Sequence, residues 1–368
     1  MNKKLYIVHT NSILELYYTL YPFIVSKTAS NSVEFVHFNS KKFKKITGKN
    51  ILFTRIFKGK FNNLEFVQGT INEIKTRFDN VIFLDDSAGA DSTHFEIIDS
   101  IDIYFKAKLL INHETYHKKI YGRQIFSDFY HTKFGIKDSK EKIRQPILNA
   151  KSLDKLKLAF NLGYGFYPKP PPRSLKRIYG YLLARGNIFK NMKPFFVENH
   201  EKIIKKLSSK VNFSSKELAI SSRFRHKNLP KTIGYQRKIF ENLVINDSRF
   251  KTGIISPDLY EKELQSVLAT LSPFGFGEVC VRDFECVLNG SILIKPDMSH
   301  MKTFPNIYYP NETYIPIKWD GSDLIEKIDH MFTNPKEHHE KVIYAREIYR
   351  KNLQNIDEHV VKLYGELF

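Results

Sequence analysis

Short apolar runs, too brief for helices, recur between segments of helical periodicity, and this alternation limits the fold more than any other feature. Leu5-Tyr6-Ile7-Val8, Val33–Phe38 and Val81-Ile82-Phe83-Leu84 are rich in β-branched and aromatic residues, the composition of strands. Asn50–Phe57 and Leu64–Val67 read as further strands, and Ile71–Phe78 as a helix. Later, Leu218-Ala219-Ile220, Lys251–Ile255 and Ile292-Leu293-Ile294 read as strands. Between and after them lie expected helices at Thr232–Leu243, Asp258–Ala269 and Leu324–Phe332, with Ser256 or Asp258 capping the second. Such alternation predicts βαβ units, hence an α/β fold with parallel sheets covered on both faces.

At 368 residues the chain is long enough for two domains. The expected division is residues 1–195, residues 196–345, and a terminal helical stretch, 346–368, packing back on the first domain. Asn161–Arg173 holds glycines and prolines that forbid regular structure. A hydrophobic fraction of 42% supplies a core and excludes general disorder. Lys and Arg outnumber Asp and Glu by 58 to 39, a formal charge of +19, which predicts attraction to anions without choosing among nucleic acid, anionic membrane and phosphorylated small molecules. Cys280 and Cys286 are the only cysteines. Two cysteines in such a chain fit a reducing compartment. Ile13–Val25, the longest apolar-rich stretch, contains Glu15 and Pro22 and is short of a bilayer span. A cytoplasmic protein is expected, with any membrane contact peripheral.

The densest chemistry lies in Ser272–Asp297, SPFGFGEVCVRDFECVLNGSILIKPD, which reads as loop, helix, glycine stop and strand. Gly275 and Gly277 permit close approach of the backbone, and the amides opening the next helix suit an anion. At helical spacing Glu278, Arg282 and Glu285 share one face, opposite Val281, Phe284, Val287 and Leu288. Carboxylates suit vicinal sugar hydroxyls, and a guanidinium suits phosphate oxygens. Gly290 supplies the stop.

The order of strand, helix, Ser-Pro, glycine-rich loop, glutamate-bearing helix, glycine and strand over residues 218–330 resembles the C-terminal domain of GT-B glycosyltransferases. The glycosyl-transferase-group-1 and spore-coat (CgeB-like) branches are the nearest. Glu285-Cys286-Val287-Leu288-Asn289-Gly290 matches the second glutamate of their paired-glutamate motif and its glycine. Glu278 stands for the first, one position off the commonest spacing. The resemblance implies two Rossmann-like domains facing a central cleft, and transfer of a sugar from a nucleotide-sugar donor to a saccharide or lipid-linked saccharide, as in lipopolysaccharide or capsule assembly. It implies further that Glu285 binds ribose, that Glu278 lies at the donor sugar, and that the amides of Gly275–Glu278 hold pyrophosphate. The base would rest near Ile255 and Tyr260, while Arg223 and Arg225 neutralise the leaving phosphate. The nucleotide-sugar is a co-substrate, and neither cofactor nor catalytic metal is implied.

The acceptor side is then the first domain, at the carboxyl ends of its strands: His9–Asn11, and the segment LDDSAGADSTH with Asp85, Asp86, Asp91 and His94. A base for the acceptor hydroxyl is sought among Asp86, Asp91 and His94, with Asp85 equally suited to a turn. Two readings from other classes compete. His113-Glu114-Thr115-Tyr116-His117 is a formal HExxH, which on a helix holds zinc through both histidines with Glu114 as base, the pattern of a zinc metallopeptidase, with Glu141 nominated as third ligand. Two lysines follow it directly, and one such match among 13 histidines is a modest signal. Aromatics interleaved with lysines suit nucleic acid, yet the lysines are dispersed instead of forming one stripe, so nucleic acid is not the expected partner. An anionic membrane surface is the more natural macroscopic partner, through Tyr164–Arg173 and Tyr179–Lys193.

Overall fold

The computed structural model describes residues 4–10, 12, 14–91, 93–122, 124–140, 142–147, 149–165 and 188–366. The first domain is built on strands β1 (Leu5–His9), β2 (Val33–His37), β3 (Gly48–Phe53), β4 (Phe78–Asp85) and β5 (Ile103–Lys106). Three short strands follow, β6 (Lys108–Leu110), β7 (Ile120–Tyr121) and β8 (Ile143–Arg144), and then β9 (Leu156–Leu158). The principal sheet runs β2-β1-β3-β4-β5-β9, every pair parallel. In the second domain are β10 (Glu217–Ser221), β11 (Phe250–Lys251), β12 (Val267–Leu271), β13 (Ile292–Pro296), β14 (Met301–Thr303) and β15 (Tyr314–Ile317). Its sheet runs β11-β10-β12-β13-β15, again wholly parallel. The architecture is α/β with two Rossmann-like domains. Strand order reverses at β1/β3 in one sheet and at β10/β12 in the other. Such switch points open a crevice at the carboxyl ends of the strands.

The domains share more than a hinge. β14 pairs antiparallel with β6, Met301 opposite Leu110 and Thr303 opposite Lys108. One apolar core runs from Leu5 and Phe53 in the first domain to Phe274, Phe284 and Tyr349, while a second lies around β10, β12 and β13. Helix Ile188–Ser208 straddles the expected boundary at 195/196, with Tyr21 Oη donating to the Phe196 carbonyl at 3.4 Å. The expected boundary at 345/346 falls within helix Glu337–Gln354, after which a separate helix, Ile356–Gly365, returns to the first domain. There Asp357 accepts from Ser26 Oγ at 2.6 Å and from the Thr28 amide at 3.0 Å.

Buried Arg346, on helix Glu337–Gln354, ties the frame together. Its guanidinium donates to the carbonyls of Val287 and Leu288 and to those of Lys206, Leu207 and Ser209, at 2.6 to 3.3 Å. One cation thus donates to carbonyls at two helix C-termini, where positive charge is favoured.

Several expectations are corrected. The helix expected to reach Ala269 stops at Ser266, with Ser256 as its cap, and Val267–Leu271 is the central strand β12, buried throughout. A strand buried on both faces does not alternate, so its apolar run continued the helical spacing. Leu64–Val67 opens helix Leu64–Lys75, because the Asn63 side chain accepts from the Phe66 amide. The strand expected over Lys251–Ile255 ends at Lys251, and Gly253 has φ +85°. Among the described residues no helix is long and apolar enough to cross a membrane. The surfaces nominated for membrane contact lie mostly outside the described residues, at 166–187.

Candidate functional site

The two carboxyl edges enclose a cavity of about 540 Å³. Its floor comes from the second domain: the segment after β10 (Arg223–Arg225), the turn Gly253–Ile255, Tyr260, the loop after β12 (Gly275–Gly277), and Cys280–Arg282 with Glu285. Ala88 and Leu162 of the first domain complete the wall.

The helix that carries the chemistry runs over Val281–Leu288. Cys280 caps it, and Asp283 reaches back to the Cys280 amide at 2.9 Å. Gly290, at φ +70°, closes the far end. Arg282 and Glu285 face the cavity. The Glu285 carboxylate has no hydrogen-bond or ion-pair partner among the described residues. Burial pushes its pKa up, against the pull of neighbouring Arg282. Tyr260 stands beside both, and burial raises its hydroxyl too. Arg282 makes long contacts, 3.4 Å to Ser272 Oγ and 3.4 Å to the Arg223 carbonyl, and lies beside the Tyr260 hydroxyl. Ile255 and Tyr260 line the wall expected to hold a base.

Glu278 departs from expectation. It precedes the helix, so it does not share the Arg282–Glu285 face. It is fully buried, accepting the Ala90 amide at 3.2 Å, with His300 Nε2 at 3.6 Å from its other oxygen. Burial opposes its charge, but His300 prevails and lowers its pKa. The glycine loop also has a second duty. A side chain on Gly277 would collide with the Ala88 backbone and come within 2.8 Å of the Gly89 nitrogen, so the close approach this glycine permits is to the first domain. The Gly275 amide is taken by the Gly277 carbonyl at 2.9 Å. Helix Val281–Leu288 opens on the same cavity, with Val281 and Arg282 on its wall.

The cations divide likewise. Arg223 is held by Glu263 through its Nε (3.0 Å) and a second guanidinium nitrogen (2.5 Å), and it reaches the Thr252 carbonyl. Its guanidinium is thus already shared with a carboxylate, while it still lines the cavity. Exposed Arg225 has no side-chain partner among the described residues. Arg237, unnoticed in the sequence, comes from helix Lys231–Val244 and donates to the carbonyls of Phe274 and Arg225, both at 2.8 Å. Burial lowers its pKa, and Gly275 leaves room for its guanidinium. An amphipathic helix gave no hint that one of its arginines faced inward.

A smaller cavity of about 200 Å³ adjoins the first and shares Ala88, Leu162 and Val279 with it. Asp86 lines it, accepting from Thr19 Oγ1 at 2.5 Å and Arg55 Nε at 2.6 Å. Lys108, also on its wall, is buried without a hydrogen bond or ion pair among the described residues. Desolvation brings its pKa down to about 8, with Lys106 adding to the effect. Behind them buried Glu15 gathers the loops after β1 and β3, accepting the amides of Thr10 (2.9 Å) and Arg55 (3.3 Å) and both threonine hydroxyls of Thr10 and Thr54. The sequence signal for Glu15 was a lone carboxylate in an apolar stretch.

Of the three candidate bases, Asp86 lines the smaller cavity. Asp91 is fully buried, and neither of its carboxylate oxygens has a hydrogen-bond partner among the described residues. Burial, then the charge of Glu278, pushes its pKa well above the usual carboxylate range. His94 stacks on Phe61 at 3.7 Å, within an aromatic cluster. Asp85 is a buried anchor, bound by Tyr104 Oη at 2.6 Å and by Lys106 at 3.3 Å. His9 turns inward to the Thr10 carbonyl, and burial lowers its pKa to about 4; Asn11 lies outside the described residues.

The HExxH segment forms a 3₁₀ turn over His113–His117. At about three residues per turn, positions four apart point roughly 120° away from each other. His117 is engaged by the Ile147 carbonyl at 2.7 Å, and no metal-ligand cluster among the described residues includes either histidine. Glu141 lies outside the described residues.

No family model matches the sequence, and no curated protein matches it. Among solved structures, the chain is similar to an α-glucosyltransferase in complex with UDP, at 10% identity over 98% of this chain and 99% of that one, TM-score 0.48. It is similar to HepE of Anabaena in complex with UDP, at 9% identity over 99% and 100%, TM-score 0.44. A glycosyltransferase from Rickettsia africae matches at 10% identity over 100% and 99%, TM-score 0.43.

Proposed function

We propose that this chain is a nucleotide-sugar-dependent glycosyltransferase of GT-B type. The observation that carries the reading is one cavity with two chemistries at a fixed spacing. Glu285 offers an uncommitted carboxylate to vicinal hydroxyls, and beside it Arg282, Arg225, Arg237 and a helix N-terminus face the same space. A nucleoside diphosphate presents the matching pair, ribose hydroxyls and pyrophosphate. Charge that develops on the departing nucleotide is stabilised by these cations and by the helix dipole, and no metal is required.

The donor sugar then lies toward Ala88 and Val279, where the two cavities meet. An acceptor hydroxyl enters the smaller cavity, and Asp86, paired with Arg55 at 2.6 Å, takes its proton. Lys108 is available to a negatively charged group of either substrate. The acceptor is a saccharide, free or lipid-linked, in polysaccharide assembly such as that of lipopolysaccharide or capsule. The chain's positive charge supports contact with an anionic membrane face, and the paired-glutamate segment supports kinship with the group-1 and spore-coat-type branch.

The test is nucleotide release from a panel of UDP-, GDP-, ADP- and CMP-sugars, with and without EDTA. The reading predicts release from one donor class, insensitive to EDTA and abolished in Glu285→Ala. If no donor is turned over and no nucleotide binds, the reading fails.

A further inference from the structure

On the far side of the second domain, helix Leu324–Thr333 turns through Asn334–Lys336 into helix Glu337–Gln354. His330 lies in the last turn of the first helix, and Glu337 and His338 open the second. One ligand-capable atom from each of the three lies within 4.8 Å of the others. His338 is only 6% exposed, and neither of its ring nitrogens has a hydrogen-bond partner among the described residues. A buried imidazole in this state forgoes bonds that buried polar groups almost always make. Its ring stands nearly perpendicular to that of His330, with centroids 6.1 Å apart, so the two rings are not stacked on each other.

We propose that His330, Glu337 and His338 form a divalent transition-metal site, best suited to zinc. Two imidazoles and one carboxylate are a borderline donor set that favours zinc over magnesium or calcium. Zinc–ligand bonds of about 2 Å need the donors closer together than they stand here. His330 and Glu337 are exposed and swing inward by side-chain rotation, while buried His338 stays fixed. A fourth position is left to water. Such an ion clips the turn between the two helices and satisfies one nitrogen of His338. It also immobilises the start of the helix whose Arg346 supports the C-terminus of Val281–Leu288. The site is distinct from His113 and His117 and does not depend on the glycosyltransferase reading.

The test is calorimetric titration of zinc into untagged, EDTA-stripped full-length protein, alongside thermal unfolding with and without zinc. The parent is expected to bind about one equivalent and to melt higher with zinc, since a ligand bound only by the folded state stabilises it. His330→Ala and Glu337→Gln alter exposed side chains that the fold does not need. Both are expected to lose at least about tenfold in affinity, and His330→Ala to lose the zinc-dependent stabilisation, whereas His113→Ala binds like the parent. Absence of zinc binding by the parent overturns the proposal. Undiminished binding by His330→Ala, or its loss in His113→Ala, overturns it equally.

Discussion

Replacing Gly277 by alanine tests whether the glycine loop seats the second domain on the first. The added methyl group would collide with the Ala88 carbonyl and the Gly89 nitrogen. These are backbone atoms, so no flexible side chain can give way. Forcing an extra carbon into a packed contact costs about 1–3 kcal/mol. The shift also pulls the fully buried Glu278 carboxylate from the Ala90 amide at 3.2 Å, and a hydrogen bond to a charged group is worth about 1.5–3 kcal/mol. The combined cost is about 3 kcal/mol or more, relieved either by lower stability or by opening of the cleft. Thermal unfolding is expected to shift down by about 4 °C or more, and small-angle scattering to report a larger radius of gyration if the cleft opens. Gly69→Ala is the matched control: it lies within helix Leu64–Lys75 with nothing within 4 Å of a new Cβ. It is expected to stabilise by about 0.4–1 kcal/mol. If Gly277→Ala melts and scatters like the parent, the loop is not pressed between the domains and the reasoning is wrong.

Other consequences follow from the same geometry. Asp86→Asn keeps the bulk but not the charge beside Arg55, and is expected to lower kcat by 10²-fold or more with nucleotide affinity unchanged; unchanged kcat in transfer assays rejects Asp86 as the base. Asp91 keeps its proton longer in the folded chain than in the unfolded one, because burial raises its pKa. The folded state therefore binds more protons above about pH 4, and stability falls as pH climbs toward the raised value. Urea unfolding at pH 5 and pH 8.5 should show a smaller loss in Asp91→Asn than in the parent, and equal losses would contradict this. Arg346→Met leaves carbonyls at two helix C-termini without their donor, so a loss of about 2–4 kcal/mol is expected by denaturant titration; a change under 0.5 kcal/mol would show the cap to be dispensable.

The strand–helix alternation was enough to read two parallel α/β domains, because brief apolar runs bounded by turn residues have few other uses. The helix bearing Arg282 and Glu285 was legible for a local reason, since its glycine stop and its apolar stripe lie within one short segment. Strand β12 was not, because Val267–Leu271 is buried on both faces and shows no alternation to separate it from the helix before it. Among site residues, Ile255, Tyr260, Gly275, Gly277, Arg282, Glu285 and Arg225 line one cavity, drawn from segments adjacent in sequence or at neighbouring strand ends. Arg237, Lys108 and Glu15 were hidden, since their inward direction depends on contacts with chain far away. The pairing of Arg223 with Glu263, forty residues on, and the turning of Glu278 toward the first domain were invisible for the same reason. Asp85, Asp86 and Asp91 share one segment and have three fates, decided by which strand end or loop each meets.

The most direct measurement is the calorimetric affinity of the parent and of Glu285→Ala for UDP, GDP, ADP and CMP. Loss of a carboxylate hydrogen-bonded to ribose costs about 2 kcal/mol or more, so affinity for the preferred nucleotide should fall by about 30-fold or more while thermal unfolding without ligand stays close to that of the parent. Equal affinity in the two proteins, or no nucleotide binding by the parent, would contradict the placement of the donor in this cleft.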